Sequence, residues 1–159
     1  MGKTFTVSDT IHVDAPIERC FLLSTSIELV QRTLGMRVVS GKTSGLVEMG
    51  DQMVWAGWKF GFPQVHETLI TAYRRPNFFQ DTMGRGRFKT FAHDHSFTEI
   101  DGKTLLHDKV RFSMPLGIAG RMVATRVMVP HIARLLQRRF QLLKRVAESD
   151  EWQDYLDGR

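Results

Sequence analysis

The feature that most constrains this chain is a change of periodicity near residue 115. Residues 51–114 contain a series of apolar and aromatic runs separated by short breaks rich in Pro, Asn and Gly, which predicts antiparallel strands. From residue 118 to 147, apolar side chains recur every three or four positions apart from a gap at Thr125, which is typical of one long amphipathic helix. A sheet with a single large apolar partner must curl around it. Such a sheet encloses more volume than the helix fills, so the pattern also predicts an internal cavity.

The first part of the chain adds a strand and two short helices. Residues 4–13 alternate between apolar and polar side chains, as in a half-buried strand. Asp14-Ala-Pro-Ile-Glu is a helix-start signature and predicts a helix over residues 16–24, with a second over 26–33. Pro130 predicts a kink or break in the long helix. The predicted fold class is α+β, a curved antiparallel sheet wrapped around a long C-terminal helix, with two short helices after the first strand.

Length and composition predict one folded domain. The chain has 159 residues, of which 42% are hydrophobic and 25% charged, the balance of a globular protein. We expect residues 1–149 to form a single ligand-binding domain and residues 150–159 a frayed tail. The one cysteine, Cys20, and the absence of a signal-peptide pattern favour a reducing, cytoplasmic location. No run reaches the roughly 18 to 20 apolar residues of a transmembrane helix, so we expect a soluble protein.

The net charge of +5 raises the question of an anionic partner. The basic residues of the C-terminal region are spread around the predicted helix and are not interleaved with aromatic side chains, so we expect no nucleic-acid partner. They are Arg121, Arg126, Arg134, Arg138, Arg139, Lys144 and Arg145. A transient contact with a membrane surface and a homodimer both stay open.

Motifs over nearly the whole chain resemble the START-like, or SRPBCC, superfamily and its helix-grip fold. They are Asp14-Ala-Pro, Gly50-Asp-Gln-Met-Val-Trp55, Phe60-Gly61, Pro76-Asn-Phe-Phe-Gln-Asp81, Phe91-Ala-His-Asp-His-Ser-Phe97, Thr104-Leu-Leu-His-Asp-Lys-Val-Arg-Phe112 and Pro115-Leu-Gly117. The similarity is greatest to single-domain bacterial members described as polyketide cyclase/dehydratase-like. It implies the fold and a hydrophobic ligand cavity but no particular reaction, because lipid carriers, hormone receptors, cyclases and chaperone activators share this fold.

Asp101-Gly102 predicts a two-residue hairpin turn, because both central positions of a type I′ turn need positive φ. This turn places His95 directly opposite Asp108, with Cβ atoms about 4.5–5.5 Å apart, so the two side chains can form a hydrogen bond. The aromatic residues on the same face predict that it points inward. The other predicted pairs are Glu99 with Thr104, Phe97 with Leu106, His93 with Val110, and Phe91 with Phe112.

Three interpretations of the His95–Asp108 pair stay open. In the favoured interpretation the pair is structural or orients the polar end of a ligand, because buried polar groups need partners. The second is catalytic, with His95 as a general base oriented by Asp108 and assisted by His93 or Asp81. The third is a metal site, since His-X-His on a strand places both rings on one face and the two aspartates supply oxygen ligands. We expect neither a metal nor a cofactor.

Strand alternation and helical spacing also predict the ligand contacts. Met122, Val123 and Val127 are predicted to cover the cavity opening, whereas Ile132, Leu136 and Phe140 are predicted to pack on the sheet. The predicted contacts from the strands are Trp55, Asp81, Met83, Phe91, His93, His95, Phe97, Asp108, Val110 and Phe112.

The leading hypothesis is that the protein binds, sequesters or transports a small hydrophobic molecule, whether lipid-, isoprenoid- or polyketide-like. The alternative is a cyclase or dehydratase that uses His95 and Asp108 as its general-base pair. A regulatory or chaperone-cofactor module that meets a protein partner through the basic helix is the second alternative.

Overall fold

The computed structural model describes residues 2–156, and in this range seven strands form one antiparallel sheet in the order β1-β7-β6-β5-β4-β3-β2. Strands that follow one another along the chain are therefore mostly neighbours in the sheet, and β1 closes it against β7. The strands are β1 (Phe5–Val13), β2 (Arg37–Gly41), β3 (Gln52–Lys59), β4 (Phe62–Arg74), β5 (Phe78–Met83), β6 (Thr90–Ile100) and β7 (Lys103–Ser113).

Two short helices, α1 (Ile17–Ser24) and α2 (Ile27–Leu34), connect β1 to β2, as predicted. Pro16 precedes the first turn of α1, where a missing N–H leaves no intrahelical bond unmade. Ser26 caps α2 by accepting a hydrogen bond from the Leu29 backbone N–H. Gly35 ends this helix in the left-handed conformation, with φ of 61°.

The C-terminal helix consists of α3 (Gly117–Val123), a π-helical segment (Ala124–Met128) and α4 (Val129–Glu148). The π-helical segment lies immediately before Pro130, which cannot donate a backbone hydrogen bond to the preceding turn. The α-helical pattern is therefore interrupted near the predicted position, and the chain continues in a helical path. Among residues 2–156, no helix is both long enough and apolar enough to cross a membrane.

The main core lies where α1 and α4 cover the concave face of the sheet. Phe140 of α4 is buried there, and Ile132 and Leu136 are buried in a second cluster against β1 and β7, as helical spacing predicted. Phe21 of α1 meets the ring of Phe97 edge to face, with the centroids 5.3 Å apart. Aromatic edge contacts of this kind fix how the helix layer sits on the strands.

The β6–β7 hairpin has the predicted register. His95 faces Asp108, and each of the other four predicted pairs is observed. Asp101 and Gly102 at the turn have φ of 50° and 75°, as a type I′ turn requires. A two-residue turn allows only one alignment of the strands, and the sequence pattern identifies that alignment correctly.

Two segments differ from the sequence predictions. Strand β2 was not predicted, because its residues are mostly exposed at a sheet edge and follow no clear alternation. Residues 150–156 are not frayed: Asp150–Trp152 form a 3₁₀ turn and Gln153–Leu156 form α5. Trp152 packs beneath the guanidinium of Arg19, 4.3 Å from the ring centroid, and so joins this segment to α1. Residues 157–159 of the predicted tail lie outside the described residues.

Candidate ligand cavity and polar cluster

A cavity of about 250 Å³ lies between the sheet and the helices α2 and α4. Its walls are mostly apolar. The strands contribute Met53, Trp55, Ile70, Phe79, Phe91 and Val110; α2 contributes Ile27, Val30 and Leu34; and α4 contributes Ile132, Leu135 and Leu136. The curvature of the sheet around one helix leaves this space, because the helix side chains do not fill it.

One part of the cavity wall is polar. Strand alternation brings side chains of β5, β6 and β7 to the same inward face, and α4 adds an arginine from the opposite layer. We call these residues the polar cluster: Asp81, His93, His95, Asp108 and Arg139.

His95 lies at the centre of the polar cluster. Its Nδ1 is 3.1 Å from Asp108 Oδ1, and its Nε2 is 2.8 Å from Asp81 Oδ2. Burial alone would lower the pKa of His95, but the Asp108 carboxylate and the two hydrogen bonds raise it above the ordinary value of 6.5, despite the nearby charge of Arg139. In its charged form the ring donates both N–H groups, one to each carboxylate.

Asp108 is held from the helix side as well. Arg139 Nε donates to Asp108 Oδ2 over 2.7 Å, and the Asp108 side chain is only 1% exposed. Burial would raise the pKa of this carboxyl group, but the Arg139 guanidinium and the His95 charge hold it well below the ordinary 3.8. Asp108 therefore stays ionised and links α4 to β7 through a buried ion pair.

His93 is much less well satisfied than His95. Its Nε2 is buried and has no hydrogen-bond partner among residues 2–156, since Asp108 Oδ2 at 3.3 Å is not aligned for a hydrogen bond. Its Nδ1 is 3.8 Å from Asp81 Oδ2. Burial, together with the charge of His95, lowers the pKa of His93 below 6.5. His93 thus lines the cavity wall, with its buried Nε2 turned toward Asp108.

The structure brings about half of the predicted contact residues to the cavity. Phe97 and Phe112 are instead packed within the core, at 2% and 0% exposure. Asp108 lies behind His95 and His93, and Met83 lies at the end of β5. The predicted residues that line the cavity are Trp55, Asp81, Phe91, His93, His95 and Val110. The predicted ligand contacts themselves stay predictions.

The three helix residues predicted to cover the opening do not line the cavity. Met122, Val123 and Val127 are 51%, 43% and 39% exposed and do not line the cavity. They belong to α3 and the π-helical segment, where the buried side chain is that of Ala124, which packs with Val7 and Val110 of the sheet. The opening is bordered instead by His131 of α4 and by Phe60 of the β3–β4 turn, whose rings meet with centroids 4.9 Å apart.

Arg139 is the functional residue that the sequence interpretation missed. It was grouped with the basic residues spread around the helix, but it is only 8% exposed. A signal existed: it comes three residues after Leu136 and four before Leu143, on the apolar face of the helix. A lone arginine on such a face needs a buried acidic partner, and Asp108 was already predicted to point inward.

A curved antiparallel sheet wrapped around a long C-terminal helix, with a cavity between them, defines the helix-grip class of protein. The chain matches no protein-family model, and it has no significant match among curated proteins. Solved structures do share its architecture. A START superfamily protein from Mycobacterium smegmatis has 16% identity and a TM-score of 0.66 over 90% of this chain and 97% of that chain.

Ginseng major latex-like protein 151 from Panax ginseng has 9% identity and a TM-score of 0.65, covering 93% of this chain and 100% of that one. The di-domain ARO/CYC BexL from the BE-7585A biosynthetic pathway has 16% identity and a TM-score of 0.68, covering 92% of this chain and 50% of that one. At such identities the likeness establishes the fold alone. The chain therefore has the helix-grip fold of these structures.

Proposed function

We propose that this protein binds a small hydrophobic molecule in the cavity between the sheet and α4, with the polar cluster orienting the polar end of that molecule. The observation that carries the proposal is the cavity itself, about 250 Å³ and mostly apolar, with polar side chains at one part of its wall. Small-molecule sites have this composition, because apolar walls supply binding energy and a few polar groups fix orientation.

The volume also bears on the class of ligand. An engineered cavity of about 150 Å³ holds a benzene molecule, and sites for drug-sized ligands run from about 300 Å³ upward. A cavity of about 250 Å³ lies between these values. The ligand is therefore a compact aromatic, polyketide-like or short isoprenoid molecule rather than a whole membrane lipid.

The test is to fill the cavity from the helix side. Leu135 lines the cavity, whereas Gln137 on the same helix is exposed, so Leu135→Trp and Gln137→Trp form a matched pair. The fluorescence of the apolar dye N-phenyl-1-naphthylamine is titrated against each protein, with circular dichroism to check folding. We expect saturable binding to the wild type and to Gln137→Trp, and loss of binding in folded Leu135→Trp. Equal binding by both variants contradicts the proposal.

The natural ligand is sought separately. Native mass spectrometry of the protein purified from its own host, followed by organic extraction, identifies any small molecule that copurifies. A compact apolar compound with one polar end is the expected result.

One observation favours the enzyme alternative, a cyclase or dehydratase. A general base must be unprotonated, and His93 lines the cavity with a lowered pKa and with its Nδ1 3.8 Å from Asp81 Oδ2, beyond hydrogen-bond distance. His95 suits that role less, since both of its ring nitrogens already contact carboxylates.

The test of the enzyme alternative is NMR detection of deuterium exchange from heavy water into the methyl group of acetophenone. Exchange that needs His93 but not His107, an outward-facing histidine of β7, supports catalysis; no exchange above the rate in buffer opposes it.

A further inference from the structure

Three side chains of the polar cluster present donor atoms to a common point at the cavity wall. Asp81, His93 and His95 offer a carboxylate oxygen and two ring nitrogens that all lie within 4.8 Å of one another. Asp81 Oδ2 is 2.8 Å from His95 Nε2 and 3.8 Å from His93 Nδ1. We infer that these three residues form a binding site for a divalent transition metal ion of the Zn²⁺ type.

The spacing suits such an ion. With Zn–N and Zn–O bonds of about 2.0–2.2 Å, a tetrahedral Zn²⁺ ion keeps its ligand atoms roughly 3.3 Å apart. The two distances to Asp81 Oδ2, 2.8 Å and 3.8 Å, lie on either side of that value. Each of these two distances differs from that value by about half an ångström, and the three ligand atoms lie within 4.8 Å of one another. The ion then takes the place of the proton between His95 and Asp81.

The groups behind the two histidines support the same inference. Asp108 contacts the ring nitrogen that each histidine does not offer: Oδ1 is 3.1 Å from His95 Nδ1, and Oδ2 is 3.3 Å from His93 Nε2. A carboxylate behind a metal-bound histidine fixes its tautomer and orientation and strengthens it as a ligand. Here one aspartate serves both rings, and Arg139 holds that aspartate in place over 2.7 Å.

Hydrogen bonding alone leaves His93 unexplained. Its buried Nε2 has no hydrogen-bond partner in residues 2–156, an exception to the general pairing of buried polar atoms. A metal bound at Nδ1 leaves the proton on Nε2, the nitrogen that faces Asp108. That N–H is 3.3 Å from Asp108 Oδ2, the acceptor nearest to it. Metal binding thus satisfies both nitrogens of His93.

The site opens toward the cavity. Asp81, His93 and His95 all line it, whereas Asp108 lies behind them. Three protein ligands leave a fourth position of a tetrahedral ion free, which is the arrangement of catalytic rather than structural zinc sites. That position accepts a water molecule or an oxygen atom of a bound molecule. Only the identity of this fourth ligand rests on the proposed function; the metal site itself does not.

The test uses the metal ion alone, so that it is independent of any hydrophobic ligand. Protein dialysed against a chelator is titrated with Co²⁺, whose visible d–d bands report four-coordinate binding, and Zn²⁺ is then added as a competitor. We expect one Co²⁺ per chain, displaced by Zn²⁺. Isothermal titration calorimetry gives the affinity of each variant.

The variants separate this site from adventitious binding by histidine. His93→Gln and Asp81→Asn remove a ligand each and are expected to abolish the d–d bands. Asp108→Asn removes the carboxylate behind the rings and is expected to weaken binding about 10- to 100-fold. His107→Gln is the matched control, because His107 lies on the same hairpin but alternates to the other face, and it is expected to bind as the wild type does.

Wild-type protein without stoichiometric Co²⁺ or Zn²⁺ binding overturns the inference. So does binding that survives in folded His93→Gln and Asp81→Asn, or that is lost equally in His107→Gln. If the variants do not fold, the ring ¹⁵N resonances of the wild type decide. Addition of Zn²⁺ must then shift His93 Nδ1 and His95 Nε2, and unchanged resonances contradict the site. Dye binding without metal binding refutes this inference and leaves the proposed function standing.

Discussion

Replacement of Arg139 by methionine tests whether the buried ion pair links the helix to the sheet. Methionine keeps much of the side-chain volume but removes the charge 2.7 Å from Asp108, which is 1% exposed. At an effective dielectric constant of about 20, two unit charges at this distance attract by about 6 kcal/mol, much of it offset by the cost of burying them. Breaking such a pair costs about 3–5 kcal/mol, because the remaining charge stays buried. His95 still contacts Asp108, so we expect about 3 kcal/mol.

The assay is urea unfolding followed by circular dichroism at neutral pH. Arg138→Met is the control, because Arg138 is exposed on the same helix and its loss should change the free energy of unfolding by less than about 0.5 kcal/mol. Adding Asp108→Asn to Arg139→Met removes the uncompensated charge, so the double variant should be more stable than Arg139→Met alone. The reasoning is refuted if Arg139→Met lowers the free energy of unfolding by less than about 1 kcal/mol, or if the double variant is no more stable than Arg139→Met.

The same variant has a predicted pH dependence. The folded-state pKa of Asp108 is depressed, so its contribution to the stability of the wild type is present above its ordinary value of 3.8 and is lost as the pH falls further. In Arg139→Met the guanidinium that depresses this pKa is absent. The difference in the free energy of unfolding between the two proteins should therefore narrow as the pH falls below about 4. A difference that widens in acid contradicts this account.

Two further predictions concern a tight glycine and the central histidine. Gly41→Ala places a Cβ 2.1 Å from the Gln52 carbonyl oxygen at a φ of +79°, so thermal unfolding should show that the free energy of unfolding falls by about 2–4 kcal/mol. In the control Gly50→Ala, where φ is +84° and the space is open, it should fall by only about 1–2 kcal/mol. Equal losses in the two variants refute the steric argument. The pKa of His95 is higher in the folded state than the ordinary 6.5 of the unfolded chain, so its contribution to stability is fully present below pH 6.5 and is lost as the pH rises through the folded-state pKa. Between these two pKa values the contribution falls by roughly 1.4 kcal/mol per pH unit. Urea unfolding of His95→Gln should therefore approach that of the wild type as the pH rises from 6 to 9, and a pH-independent difference refutes this.

The part of the polar cluster that lies on β6 and β7 could be predicted from the sequence, because it depends on local geometry. Asp101-Gly102 restricts the hairpin to one turn type, and strand alternation then leaves a single register in which His95 faces Asp108. The aromatic residues around that pair indicate which face is buried. The contact between Asp81 and His95 needed one more step, the pairing of β5 with β6, which no tight turn specifies.

The cavity opening could not be predicted in the same way. Helical spacing shows that a helix has an apolar face but not which of its apolar side chains meet the sheet. Met122 and Val123 have the expected apolar character but are exposed, whereas Ala124 beside them is buried against the sheet. The contact of Phe60 with His131 carries no sequence signal, because it joins a turn to a helix that is distant in the chain.

The order and type of the elements, the hairpin register and the inward face of β6 and β7 follow from short-range rules, since turn chemistry and side-chain periodicity act over a few residues. The raised pKa of His95, the unpartnered Nε2 of His93 and the burial of Arg139 do not, because they depend on charged groups that meet across layers. Arg139 contacts Asp108, which lies 31 positions away in the sequence, and in the buried site its charge lowers the pKa of the Asp108 carboxyl group. The pKa values and contacts of the polar cluster are therefore decided by tertiary packing, whereas the strands, helices and hairpin register that hold the cluster are determined by local sequence patterns.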